Sequence, residues 1–159
     1  MTPKKPIKKA SFPRVVESAI DENSESEALY AALDLGTNSC RMLIAQPKGA
    51  QFHVIDSFAK SVQLGSGLEK TGKLSRDSMN RTIQALKVCK QKLDKYDVRY
   101  SRLIATEACR RAKNSKDFIL KVFQETGLKL NIIDTEEEAR LAVISCAPLV
   151  SSKSEQLLV

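Results

Sequence analysis

A short polar turn between two apolar stretches combines the residue types that hold a phosphate group and its metal ion. The first stretch ends with Asp34 and Leu35, and the turn consists of Gly36, Thr37, Asn38 and Ser39. Gly36 has no Cβ, so the backbone can turn there and approach a ligand closely. The three polar residues offer hydroxyl and amide groups beside backbone N–H donors, which together suit phosphate. Asp34 lies where a strand ends, a place from which its carboxylate can hold Mg²⁺ through water.

The same turn has a second interpretation that involves no ligand. Glycine, asparagine, serine and threonine are common in the turns of β-hairpins, because they tolerate turn geometry or bond to their own backbone. Short glycine motifs also occur in many proteins that bind no phosphate. The turn alone therefore leaves the phosphate loop and the plain hairpin equally open.

Length and composition indicate one globular domain with an aliphatic core. The chain has 159 residues, of which 42% are hydrophobic and only 5% are aromatic. No apolar run approaches the roughly 20 residues that cross a membrane. The lysine-rich start lacks the apolar segment of a secretory signal, and the acidic residues after it argue against an organelle transit peptide. We therefore expect a cytoplasmic protein that does not bind membranes.

The cysteines do not form a metal-binding pattern. They are spread along the chain without a C-x-x-C pair, and His53 is the single histidine, so the sequence argues against a zinc site. Each lies in an apolar context and is predicted to be a small core residue. One of them, beside Arg110, has the alternative interpretation of a thiol with a lowered pKa. The four are Cys40, Cys89, Cys109 and Cys146.

The net positive charge lies in residues 29–159 and not in the N-terminal residues. The formal net charge is +7, but residues 1–28 contain equal numbers of basic and acidic side chains. Residues 29–159 therefore carry all of the excess, which suits a polyanionic substrate. The basic residues do not alternate with aromatic residues as in proteins that stack single-stranded bases, so nucleic acid is not an expected partner.

The order of predicted elements indicates a mixed sheet with helices packed on it. Residues 1–28 are polar and aperiodic and are predicted to be a flexible tail. A three-strand meander follows, and then helices alternate with strands. This order is that of a ribonuclease H-like fold, the type shared by actin, heat-shock chaperones and sugar kinases, with five strands. The predicted elements occupy residues 29–45 (two strands), 52–58, 75–93, 102–106, 114–127, 130–133 and 135–146. The predicted N-cap is Ser75 for the first long helix and Asn114 or Ser115 for the next, which is predicted to end at Gly127.

Three segments, taken together, resemble the exopolyphosphatase and guanosine pentaphosphate phosphohydrolase (Ppx/GppA) family. They are residues 32–39 (Ala-Leu-Asp-Leu-Gly-Thr-Asn-Ser), 105–110 (Ala-Thr-Glu-Ala-Cys-Arg) and 132–141 (Ile-Ile-Asp-Thr-Glu-Glu-Glu-Ala-Arg-Leu). The glycine-rich residues 64–75 resemble the family's loop into its first long helix. The resemblance extends in order over residues 29–159 and implies the first half of a two-domain architecture.

The resemblance implies a function and a role for each matching residue. It implies a hydrolase that releases terminal phosphate from inorganic polyphosphate or guanosine pentaphosphate with Mg²⁺, and a homodimer for the full-length form. Arg110 matches the arginine that contacts the phosphate chain. Glu138 matches the catalytic glutamate that activates water, and it is a second candidate metal ligand beside Asp34. The first phosphate loop corresponds to Gly36, Thr37, Asn38 and Ser39.

Glu138 and Arg110 each also have an interpretation as purely structural residues. Thr135 and Glu138 have the spacing of a capping box, in which the glutamate bonds back to the threonine N–H. Spacing alone favours that role, and the resemblance reverses the preference. Arg110 has the alternative of a surface pair with Glu107, which would contribute little.

The sequence departs from the family pattern in two places. Asp134 and Thr135 stand where Ser-Gly is usual, and the extra carboxylate adds negative charge near the predicted site. The family's second phosphate loop, Asp-x-Gly-Gly-Gly-Ser, is missing, and the chain ends at Val159 where its strand would begin. We therefore expect an N-terminal fragment, with a domain at residues 29–147 and the start of a second at 148–159. The alternatives are a non-catalytic phosphate- or nucleotide-binding module and another actin-like protein.

Overall fold

The computed structural model describes residues 28–49 and 51–146 of the chain. The predicted tail and the predicted start of a second domain therefore lie outside the described residues, apart from Ala28. No helix within the described ranges is long and apolar enough to cross a membrane.

The described residues form one mixed five-stranded sheet with the strand order β3-β2-β1-β4-β5. Three strands form the predicted meander: β1 at Tyr30–Leu35, β2 at Ser39–Lys48 and β3 at Gln51–Ser61, each antiparallel to the next. On the other side of β1, the strands β4 (Tyr100–Ala105) and β5 (Asn131–Ile132) are parallel to it and to each other. The predicted ribonuclease H-like fold is confirmed.

Among the described residues, five helices flank this sheet, and two of them were not predicted. The predicted ones are α2 (Arg76–Lys95), α4 (Ser115–Thr126) and α5 (Thr135–Cys146). The short helices α1 (Leu68–Thr71) and α3 (Glu107–Arg111) occupy segments that the sequence presents as a glycine-rich loop and a strand-to-helix junction. Too few residues repeat in either helix for periodicity to reveal it.

Alternation along β1 separates the core from the functional face. Leu33 and Leu35 are 1% exposed and pack in the core, whereas Asp34 between them points to the opposite face. Buried residues of α2 and α4, among them Leu86 and Phe118, belong to the same core. The helix α5 lies over the other face of the sheet, where Leu141 and Ile144 line a cavity with Asp34 and Arg41.

Most of the predicted helix ends are confirmed. Ser75 is the N-cap of α2, where its hydroxyl accepts the Ser78 N–H at 3.1 Å. Gly127 ends α4 with a left-handed φ of 73°. Phe123, an apolar residue of α4, is 46% exposed. It lies beside an apolar groove between α4 and β5.

Asn114 occupies the predicted N-cap position of α4, but its side chain does not cap the helix. Its Oδ1 accepts the Leu74 N–H at 2.8 Å, and its Nδ2 donates to the Leu74 carbonyl at 3.1 Å. The side chain therefore replaces a backbone partner for the segment that leads into α2. A contact between residues so far apart in sequence has no local signature.

We expect Asn114→Ala to lower the free energy of unfolding by about 2 kcal/mol, since it leaves the amide and the carbonyl of Leu74 without their partners. Asn80→Ala is the matched control, because Asn80 accepts one exposed bond from Lys121, and we expect it to change stability by no more than about 0.5 kcal/mol. Urea unfolding followed by circular dichroism measures both. Equal effects of the two substitutions would contradict the role given to Asn114.

Candidate functional site

The predicted site residues gather at one end of the sheet. The strands β1, β4 and β5 run in the same direction, so their carboxyl ends share an edge. Ligands of open sheets with parallel strands bind at this edge, where the connecting segments leave the sheet. The turn at residues 36–39 follows β1, α3 follows β4, and α5 follows β5. Topology thus brings together three segments that are far apart in sequence.

The turn after β1 is held in place from one side. Gly36 N–H donates to the Ser39 carbonyl at 2.9 Å. The carbonyls of Thr37 and Asn38 accept N–H bonds of 2.8 to 3.0 Å from residues 62–65. The N–H groups of Thr37 and Asn38 find no protein acceptor in the part of the chain that the structure describes. These free donors are what an anion-binding concavity requires, although the turn is also a hairpin connection.

Gly65, rather than Gly36, is the glycine that this packing requires. The backbone at Gly36 is not left-handed, and a Cβ there would meet the Ser39 carbonyl oxygen at an ordinary 3.6 Å. The prediction that Gly36 is needed for the turn is therefore wrong, while its close approach to a ligand stays a prediction. A Cβ on Gly65 would overlap the Cγ2 methyl of Thr37. The sequence offered only a glycine-rich loop as a signal for this contact.

Arg110 and Glu138 form an ion pair between α3 and α5. Arg110 Nη1 donates to Glu138 Oε2 at 2.7 Å and to the Ile133 carbonyl at 2.9 Å. The arginine side chain is 21% exposed and the glutamate 42%, so the pair lies at the surface but not fully in water. The alternative pairing with Glu107 is wrong for Arg110, because Arg111 Nη1 contacts Glu107 Oε1 at 3.1 Å.

Glu138 does not take part in a capping box. The residue before α5, Asp134, accepts the Glu137 N–H on its carboxylate at 2.7 Å and the Glu138 N–H on its carbonyl at 3.1 Å. Aspartate is a strong N-cap residue. This capping role gives a structural reason for the aspartate at position 134, where the family usually has another residue. With Asp134 as cap and Thr135 already inside the helix, Glu138 lies one turn into α5 and its carboxylate is free to meet Arg110.

The carboxyl groups of Asp34 and Glu138 are close enough to interact electrostatically. Burial raises the pKa of the Asp34 carboxyl above its usual value, and the negative charge of Glu138 raises it further. Arg41, the cross-strand neighbour of Asp34 in β2, partly opposes this rise. Sequence analysis did not single out Arg41, although an antiparallel hairpin around the turn implies its position opposite Asp34.

The acidic pair fits a hard metal ion, and the cysteines do not. Among residues 28–49 and 51–146, no group of three or more His, Cys, Asp or Glu side chains is arranged to hold a metal. Mg²⁺ is commonly bound by one or two carboxylates together with water and substrate phosphate, so Asp34 and Glu138 fit it. Cys40, Cys89 and Cys109 are buried as predicted. Burial raises the pKa of Cys109 to about 12, so the interpretation as a low-pKa thiol is wrong.

Comparison with known proteins agrees with this fold. A family model of the Ppx/GppA phosphatase family matches residues 43–159, which include Arg110 and Glu138. The turn at residues 36–39 and Asp34 precede that range.

Solved structures from the same family are similar to the chain. The crystal structure of the Aquifex aeolicus family member is 37% identical, with a TM-score of 0.72, over 76% of this chain and 39% of that one. A second structure, of the Aquifex aeolicus PPX-GPPA enzyme, is 35% identical with a TM-score of 0.74, over 80% and 42%. An exopolyphosphatase from Cytophaga hutchinsonii is 26% identical with a TM-score of 0.68, over 71% and 36%. The chain spans about two fifths of the length of these relatives.

The mixed sheet, with charged groups gathered at its strand ends, defines a ribonuclease H-like domain. The chain belongs to the Ppx/GppA phosphatase family.

We expect Gly65→Ala to destabilise the domain by about 1–3 kcal/mol, because the added methyl group overpacks against Thr37. Gly36→Ala is the matched control, and we expect a smaller change because its Cβ meets only the Ser39 carbonyl at 3.6 Å. Thermal unfolding of the purified variants measures the difference.

The double variant Thr37→Ser with Gly65→Ala tests the cause directly. Serine keeps the hydroxyl but lacks the Cγ2 methyl, so we expect it to restore most of the stability that Gly65→Ala loses. A double variant as unstable as Gly65→Ala alone would show that the overlap with Thr37 is not the cause.

Proposed function

We propose that this chain forms one wall of the active site of a phosphoanhydride hydrolase, which releases terminal phosphate from inorganic polyphosphate or guanosine pentaphosphate. The observation that supports the proposal most is the ion pair of Arg110 with Glu138, together with the electrostatic effect of Glu138 on Asp34, the carboxylate that precedes the turn at residues 36–39. Three different elements, β1, α3 and α5, supply these side chains. Membership in a phosphatase family and likeness to an exopolyphosphatase support the same reaction class.

Glu138 is the proposed general base. Arg110 holds one of its carboxylate oxygens, Oε2, and fixes the orientation of the group. The other oxygen, Oε1, has no hydrogen-bond donor among the described residues and is available to a water molecule. A positioned carboxylate that takes a proton from the attacking water lowers the barrier to phosphoryl transfer.

Arg110 is the proposed phosphate ligand. Its Nη1 is occupied by Glu138 and by the Ile133 carbonyl, whereas Nη2 and Nε have no acceptor in the described parts of the chain. A guanidinium edge with free N–H groups binds phosphate oxygens with directional, charge-assisted hydrogen bonds. The free N–H groups of Thr37 and Asn38 would contribute further donors to the same phosphate, as an oxyanion hole does.

Asp34 and Glu138 are the proposed ligands of Mg²⁺. A bound Mg²⁺ supplies positive charge that offsets the negative charge of the transferring phosphoryl group. Burial raises the pKa of Asp34, and the negative charge of Glu138 raises it further; a bound cation would relieve that repulsion.

The second wall of such a site would come from a second domain, as the family's Asp-x-Gly-Gly-Gly-Ser loop implies. An open reading frame for that loop downstream of codon 159 would support a two-domain enzyme. An immediate stop codon without such a sequence would leave this chain as a phosphate-binding module without turnover.

We expect Glu138→Gln to lower phosphate release by about 10²–10⁴-fold, which is the usual contribution of a general base. Binding of polyphosphate should persist, because glutamine keeps an oxygen for Arg110. Release from polyphosphate and from guanosine pentaphosphate, measured with Mg²⁺ in the longest product that the gene encodes, gives the rate. Isothermal titration calorimetry gives the affinity.

Glu136→Gln is the matched control, since Glu136 is exposed in the same turn of α5 and is no part of the site. We expect it to retain normal turnover. Full turnover by Glu138→Gln would remove Glu138 from the mechanism. Binding without release by the unsubstituted protein would favour the binding module instead.

A further inference from the structure

An apolar groove lies between α4 and the segment that leads into β5, the edge strand of the sheet. We call it the α4–β5 groove; its volume is about 780 Å³. Leu128 and Leu130 line it and are buried, whereas Leu120, Phe123 and Ile132 line it and are 56%, 46% and 39% exposed. Exposed large apolar side chains gathered on one concave surface are typical of an interaction site.

One lysine lies at each end of the groove. Lys129 lies near the end of α4, where its Nζ is 5.9 Å from the centre of the Phe123 ring. Lys116 lies in the first turn of α4 and lines the same groove. Neither lysine forms an ion pair with any residue that the structure describes. The groove therefore favours an apolar occupant with acidic residues at its margins.

A segment of matching chemistry occurs in the N-terminal part of the sequence. Residues 1–28 are aperiodic as a whole, but five apolar residues among them have the spacing i, i+3, i+4, i+7 and i+8. This spacing places all five on one face of a helix. They are Phe12, Val15, Val16, Ala19 and Ile20.

Acidic residues flank the apolar face of such a helix. With 3.6 residues per turn, Glu17 lies at one edge of this face and Glu22 at the other, whereas Arg14 lies on the opposite side. Pro13 falls in the first turn, where proline is tolerated because its missing N–H would have no partner in the helix. The segment thus combines an apolar face with the charge that the two lysines attract.

The segment is close enough in sequence to reach the groove. Asn131 and Asp34 both pair with Ile104, so Lys129 lies about four residues, or roughly 13 Å, beyond Ala28 along the strand direction. Only β4 separates β1 from β5, which adds about 10 Å across the sheet.

These two components combine to roughly 17 Å, and the extended chain from Glu22 to Ala28 spans about 20 Å. The connection also determines the direction of the segment. Its C-terminal end, with Glu22, lies nearer to Ala28 and therefore at the Lys129 end of the groove.

We propose that residues 12–20 dock in the α4–β5 groove of the same chain as an amphipathic helix. Their apolar side chains cover Leu120, Phe123 and Ile132, and the flanking acidic residues face Lys116 and Lys129. An amphipathic helix in an apolar groove is a common mode of recognition. A short tether makes this mode effective, because it holds the segment at a high local concentration beside the groove.

Hydrogen–deuterium exchange of the full chain, followed by mass spectrometry, tests the docking. We expect the amides of residues 12–20 to exchange at least about tenfold more slowly than in a peptide of residues 1–27. Val16→Asp should reduce this protection about tenfold, since burial of a valine side chain contributes about that factor. Leu120→Asp should reduce it to a similar extent, although it changes the groove and not the segment.

Two matched controls introduce the same charge elsewhere. Ser18→Asp adds a carboxylate to the polar side of the segment, and Val88→Asp adds one at an exposed position of α2. Both should leave the protection within about twofold of its original value. Lys129→Glu should reduce it by about twofold to fivefold, the scale of an exposed charge pair, and less at high salt. Thermal unfolding checks that every variant is folded.

Several results would overturn the proposal. Unprotected amides at residues 12–20 in the unsubstituted chain would show that the segment does not dock. Equal losses from Val16→Asp and Ser18→Asp would show that its apolar face is not the contact. Protection that survives Leu120→Asp, or that Val88→Asp reduces as much, would place the segment elsewhere. Protection that falls on dilution, together with a dimer in analytical ultracentrifugation, would assign the groove to a second copy of the chain.

Discussion

The ion pair between Arg110 and Glu138 is the contact on which the candidate site depends. It joins the helix after β4 to the helix after β5, and it orients the carboxylate one turn into α5. The pKa of Asp34 at the end of β1 is raised by burial and, further, by the charge of the same carboxylate. One side-chain contact thus couples the ends of three parallel strands. Because each partner also has a free edge or a free oxygen, the pair orients both groups without using up their capacity to bind.

The turn at residues 36–39 depends on a second constraint, the close approach of Gly65. The carbonyls of Thr37 and Asn38 accept hydrogen bonds from residues 62–65, while their N–H groups have no acceptor among the described residues. A side chain at position 65 would overlap the Cγ2 methyl of Thr37, so the glycine leaves room for this packing. The two features that the sequence presents as separate glycine motifs therefore form one unit.

Local patterns predicted the elements well and the partners of charged residues poorly. The alternation of β1, the serine cap of α2 and the glycine end of α4 are properties of short segments, and the structure confirms them. The capping box at Thr135 and the pairing of Arg110 with Glu107 were also local interpretations, and both are wrong. In each case a neighbouring residue, Asp134 or Arg111, makes the local contact instead.

The sequence by itself determined the strand and helix order, the ribonuclease H-like class and the segments that carry Asp34, Arg110 and Glu138. Periodicity and turn chemistry act over a few residues, so they can be read without the fold. Only the tertiary structure decided which groups meet, because the contacts of Arg110 with Glu138 and of Gly65 with Thr37 join residues that are 28 apart in the chain. The polar turn that alone was equally a hairpin connection and a phosphate loop is a hairpin connection in the structure, and its role as a phosphate loop is part of the proposed function. It connects β1 to β2, and packing from residues 62–65 leaves its free N–H groups available to an anion.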